Sequence, residues 1–135
     1  MYKKILVPVA FDHGETTTKA VEVAQYLVDK GGQVTALHVV EPVPGYIAQY
    51  LPEGGLEANR EAVTAQMKQT LGDAAGVDVD VISGYAGTAI TEYAGKHGFD
   101  CIVIASHRPG IEDYFLGSTA ARVVRHAQMP VHVVR

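Results

Sequence analysis

Short apolar runs and helix-period stripes alternate along the whole chain. Ile5-Leu6-Val7-Pro8-Val9 is an apolar run of strand length, and its proline, which cannot donate to a ladder, belongs at the strand's end. From Thr16 to Lys30 the residues Ala20, Val23, Ala24, Leu27 and Val28 share one helical face, and Gly31-Gly32 is expected to stop that helix. Val34 to Val40 reads as a second strand. Leu56 to Ala75 carries a helical stripe of Leu56, Val63, Met67 and Leu71. Val77 to Ile82 alternates with Asp78 and Asp80, the mark of a half-exposed edge strand. Thr88 to His97 predicts a short helix with Ile90, Tyr93 and Ala94 inward, closed by Gly98. Cys101 to Ala105 is continuously apolar and predicts a central strand. Ser118 to Ala127 predicts a last helix with Ala120, Ala121, Val124 and Ala127 apolar, and Val131 to Val134 a last strand.

The order is βαβαβαβαβ, with each helix a crossover. That demands an α/β fold: a mostly parallel, doubly wound sheet with helices on both faces. Ligands of such sheets bind beyond the carboxyl ends of the strands, where strand order reverses. The connection Glu41–Gly55 holds three prolines, three glycines and the tyrosines Tyr46 and Tyr50. It is longer than most connections, and long loops are often functional. The tyrosines either cover a ligand or pack the loop's own apolar side chains.

Length and charge narrow the picture. With 135 residues the chain is expected to form one domain, 1–135. A net charge of −4 argues against a nucleic-acid surface, so an anionic ligand needs a local positive pocket. Cys101 is the only cysteine, which excludes an intrachain disulfide and fits a reducing compartment. The opening apolar run is too short for a signal-peptide core or a membrane span, so no membrane association and a cytoplasmic location are expected. The six histidines show no metal-ligand spacing.

The candidate chemistry lies between Ile102 and Thr119. An apolar strand ends in Ala105-Ser106, a loop follows with His107, Arg108 and Gly110, and Gly117-Ser118-Thr119 opens a helix. Orphan amides and the dipole of a helix start favour an anion, and glycine lets backbone approach it. On this reading the amides of Gly117, Ser118 and Thr119 point at phosphates, Ser118 adds its hydroxyl, and Arg108 is a cationic clamp. The bland reading of Gly117-Ser118-Thr119 is an ordinary helix cap, worth ~1 kcal/mol. Asp12, just after the first strand, suits a ribose hydroxyl or a helix cap equally, and His107 a ligand contact or a plain loop position. Thr16-Thr17-Thr18 follows the glycine where a flavin phosphate loop would flank it, and the paired acids of a receiver domain are missing.

Taken together, Lys4-Ile5-Leu6-Val7-Pro8-Val9, Leu37-His38-Val39-Val40-Glu41-Pro42, Gly84 with Ala89-Ile90, Ile104-Ala105-Ser106-His107-Arg108, Leu116-Gly117-Ser118 and Pro130-Val131-His132-Val133-Val134 resemble the universal stress protein family. The match runs end to end and is nearest to a branch of small single-domain bacterial members with a Ser-His-Arg-Pro loop. The resemblance implies an adenine nucleotide alpha hydrolase-like fold, five strands ordered 3-2-1-4-5, and a homodimer through the last strands. It also implies ATP or AMP as ligand, with Mg²⁺ accompanying ATP. Gly117 and Ser118 match the end of the family's glycine motif, and Ala105 stands at its first glycine. Val9 and Ala10 end the first strand, with Ala10 where the family usually has a nucleoside-binding aspartate. Adenine is implied to lie on backbone at Val39 and Val40.

The last strand independently invites self-pairing, because an apolar edge with unpaired backbone groups satisfies both copies across a two-fold axis. The function expected is a cytoplasmic, dimeric, nucleotide-binding stress-response regulator or sensor with unidentified protein partners. Hydrolysis or autophosphorylation would be slow, since no base is positioned beside Ser118 by sequence. The alternative is an interaction module without nucleotide, acting through its dimer and the 41–55 loop.

Overall fold

The computed structural model describes residues 1–10, 14–42, 55–71, 76–106 and 116–135. Its elements are β1 (Tyr2–Pro8), α1 (Gly14–Leu27), β2 (Val28–Val40), α2 (Gly55–Leu71), β3 (Val77–Ser83), α3 (Ala86–Lys96), β4 (Cys101–Ala105), α4 (Ser118–His126) and β5 (Val131–Val134). The five strands form one sheet in the order β3-β2-β1-β4-β5, and every neighbouring pair is parallel. Pro8 is the last residue of β1, where its missing N–H costs no ladder bond.

The two-residue period of the central strands sorts the core into two layers. Ile5, Val7, Cys101 and Val103 pack with Ala20, Val21 and Ala24 of α1. Ala36 and Val81 extend the same face under Met67 of α2. Leu6, Leu37, Ile102 and Ile104 face the other way, against Ile90 and Ala94 of α3 and Ala120 and Val123 of α4. Each Val, Leu, Ile or Met side chain here taken fully from water contributes about 1.5–3 kcal/mol. Ile5–Val7 of β1 and Cys101–Ile104 of β4 are buried on both faces with no room for polar residues, and this is why they read as continuous apolar runs.

Two local expectations need correction. Helix α1 ends at Leu27, and β2 begins at Val28, ahead of the glycine pair. Tyr2 pairs with Val28 but Lys4 with Gln33, so β2 carries extra residues against β1 at that point. Gly31 takes φ +83°, and a Cβ on Gly32 would stand 2.8 Å from the Lys3 carbonyl oxygen. The glycines therefore permit a bulge and a close backbone approach rather than a helix stop. On α4 the core takes Val123, while Val124 is 44 % exposed. Gly98 closes α3 as expected. With φ +70° it lets the Phe99 amide reach the Ala94 carbonyl at 2.9 Å and its own amide reach Gly95 at 3.4 Å, a Schellman ending.

Candidate functional site

A cavity of about 470 Å³ opens at the carboxyl ends of β1, β2 and β4, under the first turns of α3 and α4. This is the crevice where the strand order reverses, with β1 leading out to β2 on one side and β4 to β5 on the other. Its floor and walls are mostly apolar: Pro8 and Val9 after β1, Leu37 and Val39 from β2, Ile104 and Ala105 from β4, Ala86 and Ile90 from α3. Leu116, Gly117, Ser118, Thr119 and Ala120 close it from the α4 side. The volume and the mixture of apolar wall with a few convergent polar groups suit a small organic ligand.

The polar groups at the rim are partly engaged by the protein itself. The Val9 amide donates to the Leu37 carbonyl at 2.8 Å. His38 Nδ1 lies 2.9 Å from the Val9 carbonyl oxygen. A carbonyl can only accept, so Nδ1 carries the proton there. The Thr17 hydroxyl donates to the Ala10 carbonyl at 3.2 Å, tying the start of α1 to the end of β1. Ser106 is only 2 % exposed; its amide donates to Val134, and its carbonyl accepts from Gly117 at 2.5 Å.

That last bond corrects one expectation: the Gly117 amide is turned to Ser106 rather than to a ligand. Gly117 is the N-cap residue of α4, without a side-chain cap bond. The next amides, of Ser118 and Thr119, begin the helix and have no intrahelical acceptor. Among the described residues no protein acceptor takes them. They border the cavity, with the positive end of the helix dipole behind them.

The sequence-predicted residues divide accordingly. Val9, Ala10, Val39, Ala105, Ser106, Gly117, Ser118 and Thr119 line one cavity. Val40 does not: its carbonyl accepts the Gly84 amide at 3.0 Å, and its side chain packs beside Ala36, Met67 and Val81 on the opposite face. Val39 packs with the Leu6 layer beside the crevice, while Val40, one residue on, packs into the α2 layer. Asp12, His107, Arg108, Gly110, Tyr46 and Tyr50 lie outside the described residues. Pro8, Thr17, Leu37, His38, Ala86, Ile90, Ile104, Leu116 and Ala120 line the cavity without having been singled out. For Leu37 and His38 a signal existed, since β2 ends beside β1 and its last residues must border the same crevice.

Two titratable groups outside the cavity lining are chemically quiet. Burial, aided by the charge of Asp100, pushes the Cys101 thiol up to about 11. Burial and then the 2.6 Å hydrogen bond to Asp80 raise the Tyr93 phenol above its ordinary range. Among the described residues no group of three or more His, Cys, Asp or Glu could hold a metal ion, and no described helix is long and apolar enough to cross a membrane.

A family model described as "Universal stress protein family" matches residues 1–135. Universal stress protein G of Shigella flexneri is 32% identical over 145 residues, covering 100% of each chain. Among solved structures, the universal stress protein UspA from Lactobacillus plantarum has a TM-score of 0.71 at 27% identity, covering 99% of this chain and 98% of that one. A universal stress protein in complex with cAMP shares the fold, with a TM-score of 0.68 at 20% identity over 99% and 97% of the two chains.

Proposed function

The chain belongs to the universal stress protein family, and from that premise we propose that it is a cytoplasmic stress-response regulator or sensor that binds ATP or AMP. The observation that carries this reading is the crevice itself: an apolar slot of about 470 Å³ that ends on the open amides of Ser118 and Thr119. The apolar walls suit the faces of a purine, and the helix start suits its phosphates. A universal stress protein with this fold has been solved in complex with cAMP, which supports an adenine nucleotide as the ligand. Val9, Ala10, Val39, Ala105 and Ser106 would border the nucleoside, with Asp12 near the ribose. Gly117, Ser118 and Thr119 would border the phosphates, with His107, Arg108 and Gly110 completing the phosphate side. Mg²⁺ would enter with ATP.

The domain acts as one unit over 1–135 and as a homodimer through β5, in this reading. In support, β5 ends the sheet order and so has a strand edge to pair, and His132 on it is exposed between half-buried Val131 and Val133. Sedimentation equilibrium should then give twice the chain mass; a monomer at micromolar concentration would refute this part. A second reading, an interaction module without nucleotide, is favoured by one observation: the Gly117 amide is already taken by Ser106.

Titration calorimetry with AMP and ATP separates the two readings. One saturable site per chain, weakened in Gly117→Val, supports nucleotide binding. No heat at millimolar nucleotide supports the interaction module. Nucleotide co-purifying with the chain, detected by mass spectrometry, would point to the first reading as well.

A further inference from the structure

A second cleft, of about 410 Å³, lies on the other side of the first turn of α4. Ala86, Ser118 and Thr119 border both cavities, so the two adjoin at the first turn of α4. Their chemistry differs. Where the first is walled by aliphatic side chains, the second brings Arg122, Arg125 and His126 of α4 opposite Tyr85 and Glu41.

Three observations mark this cleft as more than a solvated helix face. Arg122 lies against Gly87 in the first turn of α3: a Cβ there would stand 2.5 Å from Arg122 Cδ and 3.1 Å from its Cβ and Cγ. The missing side chain of Gly87 thus makes the place for the arginine stem. Among the described residues, neither Arg122 nor Arg125 forms an ion pair, although the chain as a whole carries a net charge of −4. Tyr85 is 71 % exposed at the edge of the same cleft, so an aromatic face lines it together with two guanidinium groups that have no ion-pair partner among the described residues.

Resting on the nucleotide reading of the first cavity, we propose that the second cleft holds the distal half of a dinucleoside polyphosphate. The first nucleoside sits in the apolar crevice, and the phosphate chain crosses the amides of Ser118 and Thr119. Arg122 and Arg125 take the far phosphates, and the second base stacks on Tyr85. Glu41 decides between this ligand and a longer run of bare phosphates. A carboxylate in the cleft repels further phosphate, but it accepts a hydrogen bond from a ribose hydroxyl or a base amino group.

The test compares AMP, ATP, adenosine tetraphosphate and diadenosine tetraphosphate by titration calorimetry on the full chain. Diadenosine tetraphosphate is expected to bind about tenfold tighter than ATP and than adenosine tetraphosphate, with a steeper salt dependence than AMP. In the Arg122→Gln/Arg125→Gln chain that advantage should shrink to about twofold while AMP affinity stays as it was, the sign that the fold and first cavity are intact. Tyr85→Ala should reduce the advantage, and Gly87→Ala should do so too by displacing the Arg122 stem. Binding of AMP with no added affinity for diadenosine tetraphosphate overturns this inference alone, as does an advantage that survives loss of both arginines. No binding of either ligand overturns the nucleotide reading as well.

Discussion

The two ends of the central strands solve the same problem in opposite ways. At the amino ends of β1 and β4 the chain closes on itself. The Asp100 carboxylate accepts the backbone amides of Lys3 at 2.9 Å and Lys4 at 3.1 Å, while the Asp100 amide donates to the Lys4 carbonyl at 2.9 Å. The Lys4 ammonium donates to the His97 carbonyl and stands 4.6 Å from the Phe99 ring centre, next to the glycine-closed end of α3. At the carboxyl ends of the same strands the groups meet across a cavity, and the Ser118 and Thr119 amides are left open. A strand end whose polar groups find internal partners adds stability and little else. One whose groups stay open gives up that stability and gains a place for a ligand.

Substitutions at the two ends should therefore move different observables. The largest effect is expected from Asp100→Ala, which removes an acceptor shared by two amides. It should lower unfolding free energy by about 2 kcal/mol in urea while AMP affinity stays unchanged. Gly117→Val should do the reverse. The φ of −57° at Gly117 is open to any residue, so stability should hold within about 0.5 kcal/mol. The added side chain borders the crevice, and nucleotide affinity should fall about tenfold, or about 1.4 kcal/mol. Gly98→Ala returns to the closed end. Nothing lies within 4 Å of the added Cβ, but φ is +70°, so the cost is purely backbone, about 1 kcal/mol of stability with no loss of binding.

The smallest effect concerns pH. The Cys101 thiol is raised to about 11 by burial, so the unfolded chain loses this proton before the folded one does. Stability is unaffected below the ordinary thiol value of about 8.5 and falls as pH climbs from there toward the raised value. A loss of about 0.5–1 kcal/mol near pH 9, absent in Cys101→Ala, is expected from urea midpoints. Equal pH profiles for the two chains would show that the thiol does not contribute.

How much of this was readable from the residues follows from what each signal encodes. The apolar runs of β1 and β4 are dictated by burial on both faces, and the alternation of Asp78 and Asp80 by an edge position, so strand number, type and the edge place of β3 were legible. The Gly31-Gly32 pair reads as a helix stop because a glycine that ends a helix and one that permits a bulge look alike; only the pairing of Tyr2 with Val28 and of Lys4 with Gln33 tells them apart. The apolar stripe of α4 includes Val124 but the core takes Val123, because a short helix with many alanines defines its buried face weakly. At the site, the helix start at Ser118 and Thr119 was legible from local chemistry. The Gly117–Ser106 bond and the roles of His38 and Thr17 were not, since each depends on which strand ends become neighbours in space.

The most direct measurement of the central claim is a titration of the isotopically labelled chain with AMP, followed residue by residue through backbone amide chemical shifts. Saturable shifts at Val9, Val39, Ser118 and Thr119, with the amides of Lys3, Lys4 and Asp100 unmoved, are the expected result. Shifts concentrated at Lys3, Lys4 and Asp100, or none at millimolar AMP, would contradict it.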